Sequence, residues 1–206
     1  MLKAGIISPG KTGTWASPAF LLKQKSGYRF IVDYRKVNSI TKPFFHPLPR
    51  VDDILDKLSK GKFFSHFFSR KGYFQISVLD NSKHKTGFTV PFGIYEFNRV
   101  PYGLTNAPAF FSAIMQSILG GLEFVQVYID DIIIFSENES EHLEHIQIVL
   151  DKLTANNFLK NADKCVWMQK SIKILGHIID ETGIRMDPEK IAVIKNMKTP
   201  KTVWHK

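Results

Sequence analysis

A single cysteine, Cys165, stands in 206 residues. That excludes an internal disulfide and a thiolate-cluster zinc site, and it suits a reducing compartment. No apolar run approaches the roughly 18–20 residues needed to span a bilayer, and no basic amphipathic helix or lipidation signal points to a membrane surface. The N-terminus MLKAGIISPGKTGTW lacks the apolar core of a secretory signal, so the expected location is intracellular. There is no internal repeat, no low-complexity tract and no glycine-rich phosphate loop. Acidic residues are also in deficit: 19 Asp and Glu face 28 Lys and Arg, a formal charge of +9. A domain of this size with that excess points to an anionic partner, and nucleic acid is the commonest one.

The sequence does have a large hydrophobic content, 44%, ample for a core. Within it, FVQVYIDDIIIFS (124–136) places Asp130 and Asp131 side by side in a β-branched run. Two short strands with a tight turn is the local expectation. Adjacent carboxylates among apolar neighbours repel each other and resist desolvation, so a divalent cation is the expected remedy, with a solvated hairpin tip as the alternative.

Along the chain, residues 1–18 read as an extended, irregular leading segment rich in Gly and Pro. Strands are expected at Ala19–Lys23 and Tyr28–Val32, then a helix over Val51–Lys60 with Asp52, Asp53 and Asp56 on its solvated face. Phe63–Val78 reads as two extended runs divided by Gly72, the second being Phe74–Val78. Thr86–Val90 and Tyr95–Val100 form a hairpin around Pro91-Phe92-Gly93. Asn106 is the expected N-cap of a helix with Pro108 in its first turn and Phe111, Ile114, Met115 and Ile118 as its core stripe. Glu137–Phe158 is helical, burying Leu143, Ile146, Val149, Leu150 and Leu153, with His142 and His145 as solvated surface residues. Strands at Cys165–Met168 and Ser171–Ile179, a turn at 180–183 and a short helix from Asp187-Pro188 to Met197 complete the chain. Strands and helices mix without regular βαβ alternation, so the class is α+β with a largely antiparallel sheet.

The order of motifs resembles the reverse transcriptase domain of gypsy-type long-terminal-repeat retrotransposons, a Pol polyprotein fragment. The resemblance rests on WASPAFLLKQKSGYRFIVDYRKVN (15–38), PLPRVDDILDKL (47–58), GYFQI (72–76), KTGFTVPFGIYEFNRVPYGLTNAPAFF (85–111), YIDDIIIFS (128–136), EHLEHI (141–146), Lys164-Cys165 and LGHIIDETGI (175–184). It implies a right-hand polymerase of fingers (about 1–62 and 86–105) and palm (about 63–85 and 106–184), with an antiparallel palm sheet packed on helices. Residues 185–206 would begin the connection to a thumb, and the thumb and RNase H regions would belong to a longer polyprotein. The implied reaction joins a primer 3′-OH to the α-phosphate of a dNTP on an RNA or DNA template, with two Mg²⁺ ions as cofactors. The product would be cytoplasmic or particle-associated.

Carried over by motif, Asp130 and Asp131 become the metal-binding and catalytic carboxylates, and Lys164 the proton donor to the leaving pyrophosphate. Lys23, Lys25 and Arg29 would grip the triphosphate, Tyr73 would exclude a ribose 2′-OH, and Tyr102 would line the nucleotide site. Gly103, Asn106 and Pro108 would position template and base; Leu175, Gly176 and His177 would grip the primer. One position departs: the family strand before Gly-Tyr reads F-S-K-L-D-L-x-S-G-Y, and its aspartate falls on Phe68. A phenyl ring offers a hard cation no oxygen, so turnover is expected to fall by orders of magnitude. A non-catalytic nucleic-acid-binding module is therefore the alternative function.

Overall fold

The computed structural model describes residues 1–24, 27–68, 72–158 and 165–197, with the backbone alone for 68, 193 and 194. In chain order the elements are β1 (Ile7–Pro9), β2 (Ser17–Gln24), β3 (Gly27–Val32), α1 (Arg35–Ile40), α2 (Val51–Leu58), β4 (Phe63–Phe68), β5 (Phe88–Val90), β6 (Gly93–Phe97), α3 (Ala107–Leu119), β7 (Val125–Tyr128), β8 (Asp131–Ser136), α4 (Glu139–Ala155), β9 (Val166–Gln169), β10 (Ser171–Ile174), β11 (His177–Asp180), β12 (Gly183–Met186) and α5 (Pro188–Lys195). Three sheets result. One is five-stranded in the order β1-β6-β5-β2-β3, one four-stranded in the order β7-β8-β4-β9, and one three-stranded in the order β10-β11-β12. Every pairing is antiparallel except β2 with β5. The α+β expectation stands.

The four-stranded sheet is covered on both faces, which explains why β8 reads as an unbroken apolar run. Ile132 and Ile134 face α3 and α4, packing with Phe67, Phe111, Met115 and Leu153. Ile133 faces the other way, with Phe64, Ile54 and Leu58 of α2, and Ile172 and Ile179. In α2 the apolar spacing buries Ile54, Leu55 and Leu58, while Asp52 and Asp53 in the first turn and Lys57 in the last suit the helix dipole. A third core of Val32, Tyr34, Phe88 and Phe97 fills the five-stranded sheet.

Four local expectations fail. Phe74–Val78 is no strand: Gly72–Gln75 is a 3₁₀ turn and only Ser77 bridges to Arg99. Tyr73 packs on Phe111 and Phe74 stacks on Phe97, and serving two cores from adjacent residues overrides β propensity. Ser171–Ile179 is interrupted at Leu175 and Gly176, both at positive φ (49° and 78°), giving two strands. Asn106 makes no side-chain cap bond, because its amide is used elsewhere. In α4, His142 is fully buried and Leu143 is 55% exposed; hydroxyls on the underside of the sheet give the imidazole partners that the expected stripe did not include.

Candidate functional site

Tyr128 and Asp131 are Cα partners across the β7–β8 hairpin, so Ile129 and Asp130 alone make the turn. Ile129 has φ 54° and Asp130 does not share the positive φ, the signature of a type II′ turn. A β-branched residue there is strained. The turn puts the exposed Asp130 at the tip and sends Asp131 back along β8.

Asp131 lies in register with Phe68 of β4. Its Oδ1 is 2.8 Å from Nε2 of the buried His66, with the ring N–H donating to the carboxylate. Asp130 is pushed above the ordinary carboxylate range, chiefly by desolvation and then by Asp131. Tyr73 and Tyr102 stand with ring centroids 4.9 Å apart. Burial, followed by the charge of Asp130, pushes the Tyr73 hydroxyl up to about 12. Tyr102 moves the same way for the same causes, with Arg29 opposing. The charge of Asp130 thus reaches both tyrosines, and Arg29 reaches Tyr102.

Lys23 and Arg29 are exposed on neighbouring strands, Lys23 paired with Tyr28 and Leu22 with Arg29. Lys25 and Lys164 lie outside the described residues. Gly103 has φ 98° and is held by Asn38, whose Nδ2 donates to the Gly103 carbonyl at 2.8 Å while its Oδ1 accepts the Thr105 N–H at 2.9 Å. Asn106 reciprocates, accepting the Phe44 N–H at 3.0 Å and donating to the Lys42 carbonyl at 2.9 Å. These two amides lock the segment after α1 to the loop carrying Tyr102. Pro108 is exposed in the first turn of α3. Leu175 packs on the same core as Tyr128, so the turn of Leu175, Gly176 and His177 lies on the hairpin's side of the sheet. There the Gly176 carbonyl accepts the Asp187 N–H at 3.0 Å. Sequence reading missed His66, Asn38 and the amide role of Asn106, since each depends on register between segments far apart in the chain.

The donor set does not fit a pair of magnesium ions sharing a bridging carboxylate. Among the described residues no three His, Cys, Asp or Glu converge on one point. Phe68 contributes no oxygen opposite Asp131, and one oxygen of Asp131 is engaged by His66.

Residues 21–179 match the family model described as reverse transcriptase (RNA-dependent DNA polymerase). The chain is 41% identical to the retrovirus-related Pol polyprotein from transposon 297 of Drosophila melanogaster, over 97% of this chain and 20% of that protein. It is 36% identical to the corresponding polyprotein from transposon gypsy of the same organism, over 99% and 20%. The transposon Tf2-3 polyprotein of Schizosaccharomyces pombe is 35% identical, over 97% and 15%. The chain thus spans a fifth or less of the length of these relatives. Among solved structures, a foamy viral protease-reverse transcriptase in complex with double-stranded DNA superposes with a TM-score of 0.90 at 26% identity, covering 98% of this chain and 36% of the other. The foamy viral enzyme in complex with an RNA/DNA hybrid gives 0.86 at 26% identity, over 97% and 27%.

Proposed function

The chain belongs to the reverse transcriptase family, and from that premise we propose that it is the RNA-directed DNA polymerase domain of a retrotransposon Pol polyprotein whose chemistry is arrested at Phe68. The family's reaction extends a primer 3′-OH with a dNTP and releases pyrophosphate. The five-stranded sheet corresponds to the fingers (about 1–62 and 86–105), and the sheet bearing β4, β7 and β8 to the palm (about 63–85 and 106–184). In this reading Arg29 and Lys23 face the triphosphate, Tyr73 and Tyr102 the sugar and base, and Gly103 and Asn106 the template. Asp130 and Asp131 remain as the acidic hairpin.

The observation that carries the reading is the register of Phe68 with Asp131. A carboxylate shared by both ions is replaced by a ring that cannot ligate, and turnover is expected to fall by more than about 10³-fold relative to an aspartate at that position. The test is dNTP incorporation on a primed RNA template with added magnesium. The chain as it stands should give only background, and Phe68→Asp should restore extension that Asp130→Asn then removes. Failure of Phe68→Asp to restore any extension overturns the reading.

A second function follows from the charge of +9 and from the His66–Asp131 hydrogen bond, which gives one oxygen of the second carboxylate a partner within the protein. Binding of a primer–template duplex then needs no divalent ion, and the chain serves as a nucleic-acid-binding module. Affinity that collapses on chelation of magnesium would overturn this.

A further inference from the structure

A buried hydrogen-bonded chain lies on the helix side of the palm sheet, away from the acidic hairpin. His142 of α4 is 0% exposed. Its Nε2 lies 2.8 Å from Ser65 Oγ on β4 and its Nδ1 2.7 Å from Ser136 Oγ on β8. Ser65 Oγ also accepts the Met168 N–H of β9 at 3.1 Å. Ser136 Oγ lies 2.8 Å from Nδ1 of His145, whose Nε2 faces Glu141 at 3.8 Å.

Proton counting selects one arrangement. A neutral imidazole has a single N–H and each serine a single O–H. With the proton on Nε2, His142 would donate to Ser65, and the Ser65 proton would find no acceptor among these groups. With the proton on Nδ1 every group is satisfied. Ser65 O–H donates to Nε2, His142 Nδ1–H donates to Ser136, and Ser136 O–H donates to His145 Nδ1. That leaves the His145 Nε2–H toward Glu141.

We infer that His142, held as the Nδ1–H tautomer, is a positioning residue that fixes β4 against β8, and with it position 68 against Asp131. The backbone supports this independently. The β4–β9 ladder changes register between Phe64 and His66, at Ser65 itself, and Met168 opposite has φ 54°. Ser65 Oγ takes the Met168 N–H at this break, and His142 in turn orients Ser65. The groups meeting the ring from β4 and β8 are the Ser65 and Ser136 hydroxyls and the tilted ring of Phe63, centroids 6.4 Å apart; the Met168 amide of β9 reaches it only through Ser65. The charged or titratable ones are His145 and Glu141 of its own helix. Burial, with His145 adding and Glu141 opposing, lowers His142 to about 4, so the ring stays neutral.

Nitrogen NMR of ¹⁵N-histidine-labelled full chain tests the tautomer with no substitution and no polymerisation. The expected result is a single Nδ1–H form of His142 from about pH 8 to about pH 5. An Nε2–H form, a mixture of tautomers, or titration near the ordinary histidine value overturns the inference. Ser136→Ala should release the ring and speed amide exchange of Ile132–Ile134 by about tenfold or more; unchanged exchange overturns it. The functional consequence rests on the proposed polymerase reading. In the Phe68→Asp protein, adding Ser136→Ala should lower incorporation by about tenfold or more, and an unchanged rate overturns the positioning role. Should Phe68→Asp alone fail to polymerise, the polymerase reading falls while the tautomer and exchange results still decide this one.

Discussion

Asp130 sits where its own ionisation is disfavoured, by desolvation first and by Asp131 second. A carboxyl raised above its unfolded value favours the fold at low pH, and that contribution is lost as pH rises through the folded value. At pH 7 the ionised side chain therefore costs a little stability, most of it screened by water at the exposed tip. Asp130→Asn is expected to raise the melting temperature at neutral pH and to make little difference near pH 3, measured by calorimetry; a lowered melting point at pH 7 would count against the assignment. Gly103 makes the opposite kind of demand. An added Cβ would meet Tyr34 Cδ2 at 3.5 Å, an ordinary contact, so the cost of Gly103→Ala is that of a side chain at φ 98°, about 1–2 kcal/mol. Urea unfolding should register that loss, and a neutral result would mean the loop shifts despite the Asn38 clamp.

At the scale of elements, α4 does more than cover the sheet. Its buried surface combines Val149 and Leu153 with a histidine that staples two strands. His142 is lowered from 6.5 to about 4, so its contribution is present above the unfolded value and lost as pH falls toward the folded one. Linkage puts the loss between pH 7.5 and 5 at about 2 kcal/mol. Urea titrations at those two values should find it in the native chain and find it much reduced in His142→Leu; equal pH dependence in both would sink the attribution. The β7–β8 hairpin is likewise decided at this scale. Its strands were legible from their β-branched residues, but the strained φ of Ile129 arises because a two-residue connection is the only one that keeps Tyr128 opposite Asp131.

Across the whole molecule, the candidate site residues are divided among three sheets. Lys23 and Arg29 belong to the five-stranded sheet, Asp131 and the hairpin turn carrying Asp130 to the four-stranded one, and His177 and the turn carrying Leu175 to the three-stranded one. No helix among the described residues is long and apolar enough to cross a membrane. With a formal charge of +9, primer–template affinity should fall steeply with salt, each neutralised phosphate adding about 0.9 to the slope of log affinity against log salt. Filter binding from low to moderate salt should give a slope of several units that chelation of magnesium leaves unchanged. A flat salt response would exclude an electrostatic mode of binding.

The α+β class, most strand and helix positions, the acidic hairpin and the family followed from the sequence alone. Apolar periodicity, turn residues and motif order are local properties, and local properties survive without knowledge of neighbours. The same local logic flagged Phe68, because chain position relative to Tyr73 needs no fold. What only the tertiary structure decided are relations between distant segments. His66 meets Asp131 across 65 residues, Asn38 meets Gly103 also across 65, and His142 meets Ser65 across 77. Each pairing is set by strand register and helix phase, where a shift of one residue turns a side chain to the opposite face. For that reason His142 read as surface and proved to be core, and Asn106 read as a helix cap and proved to be a clamp.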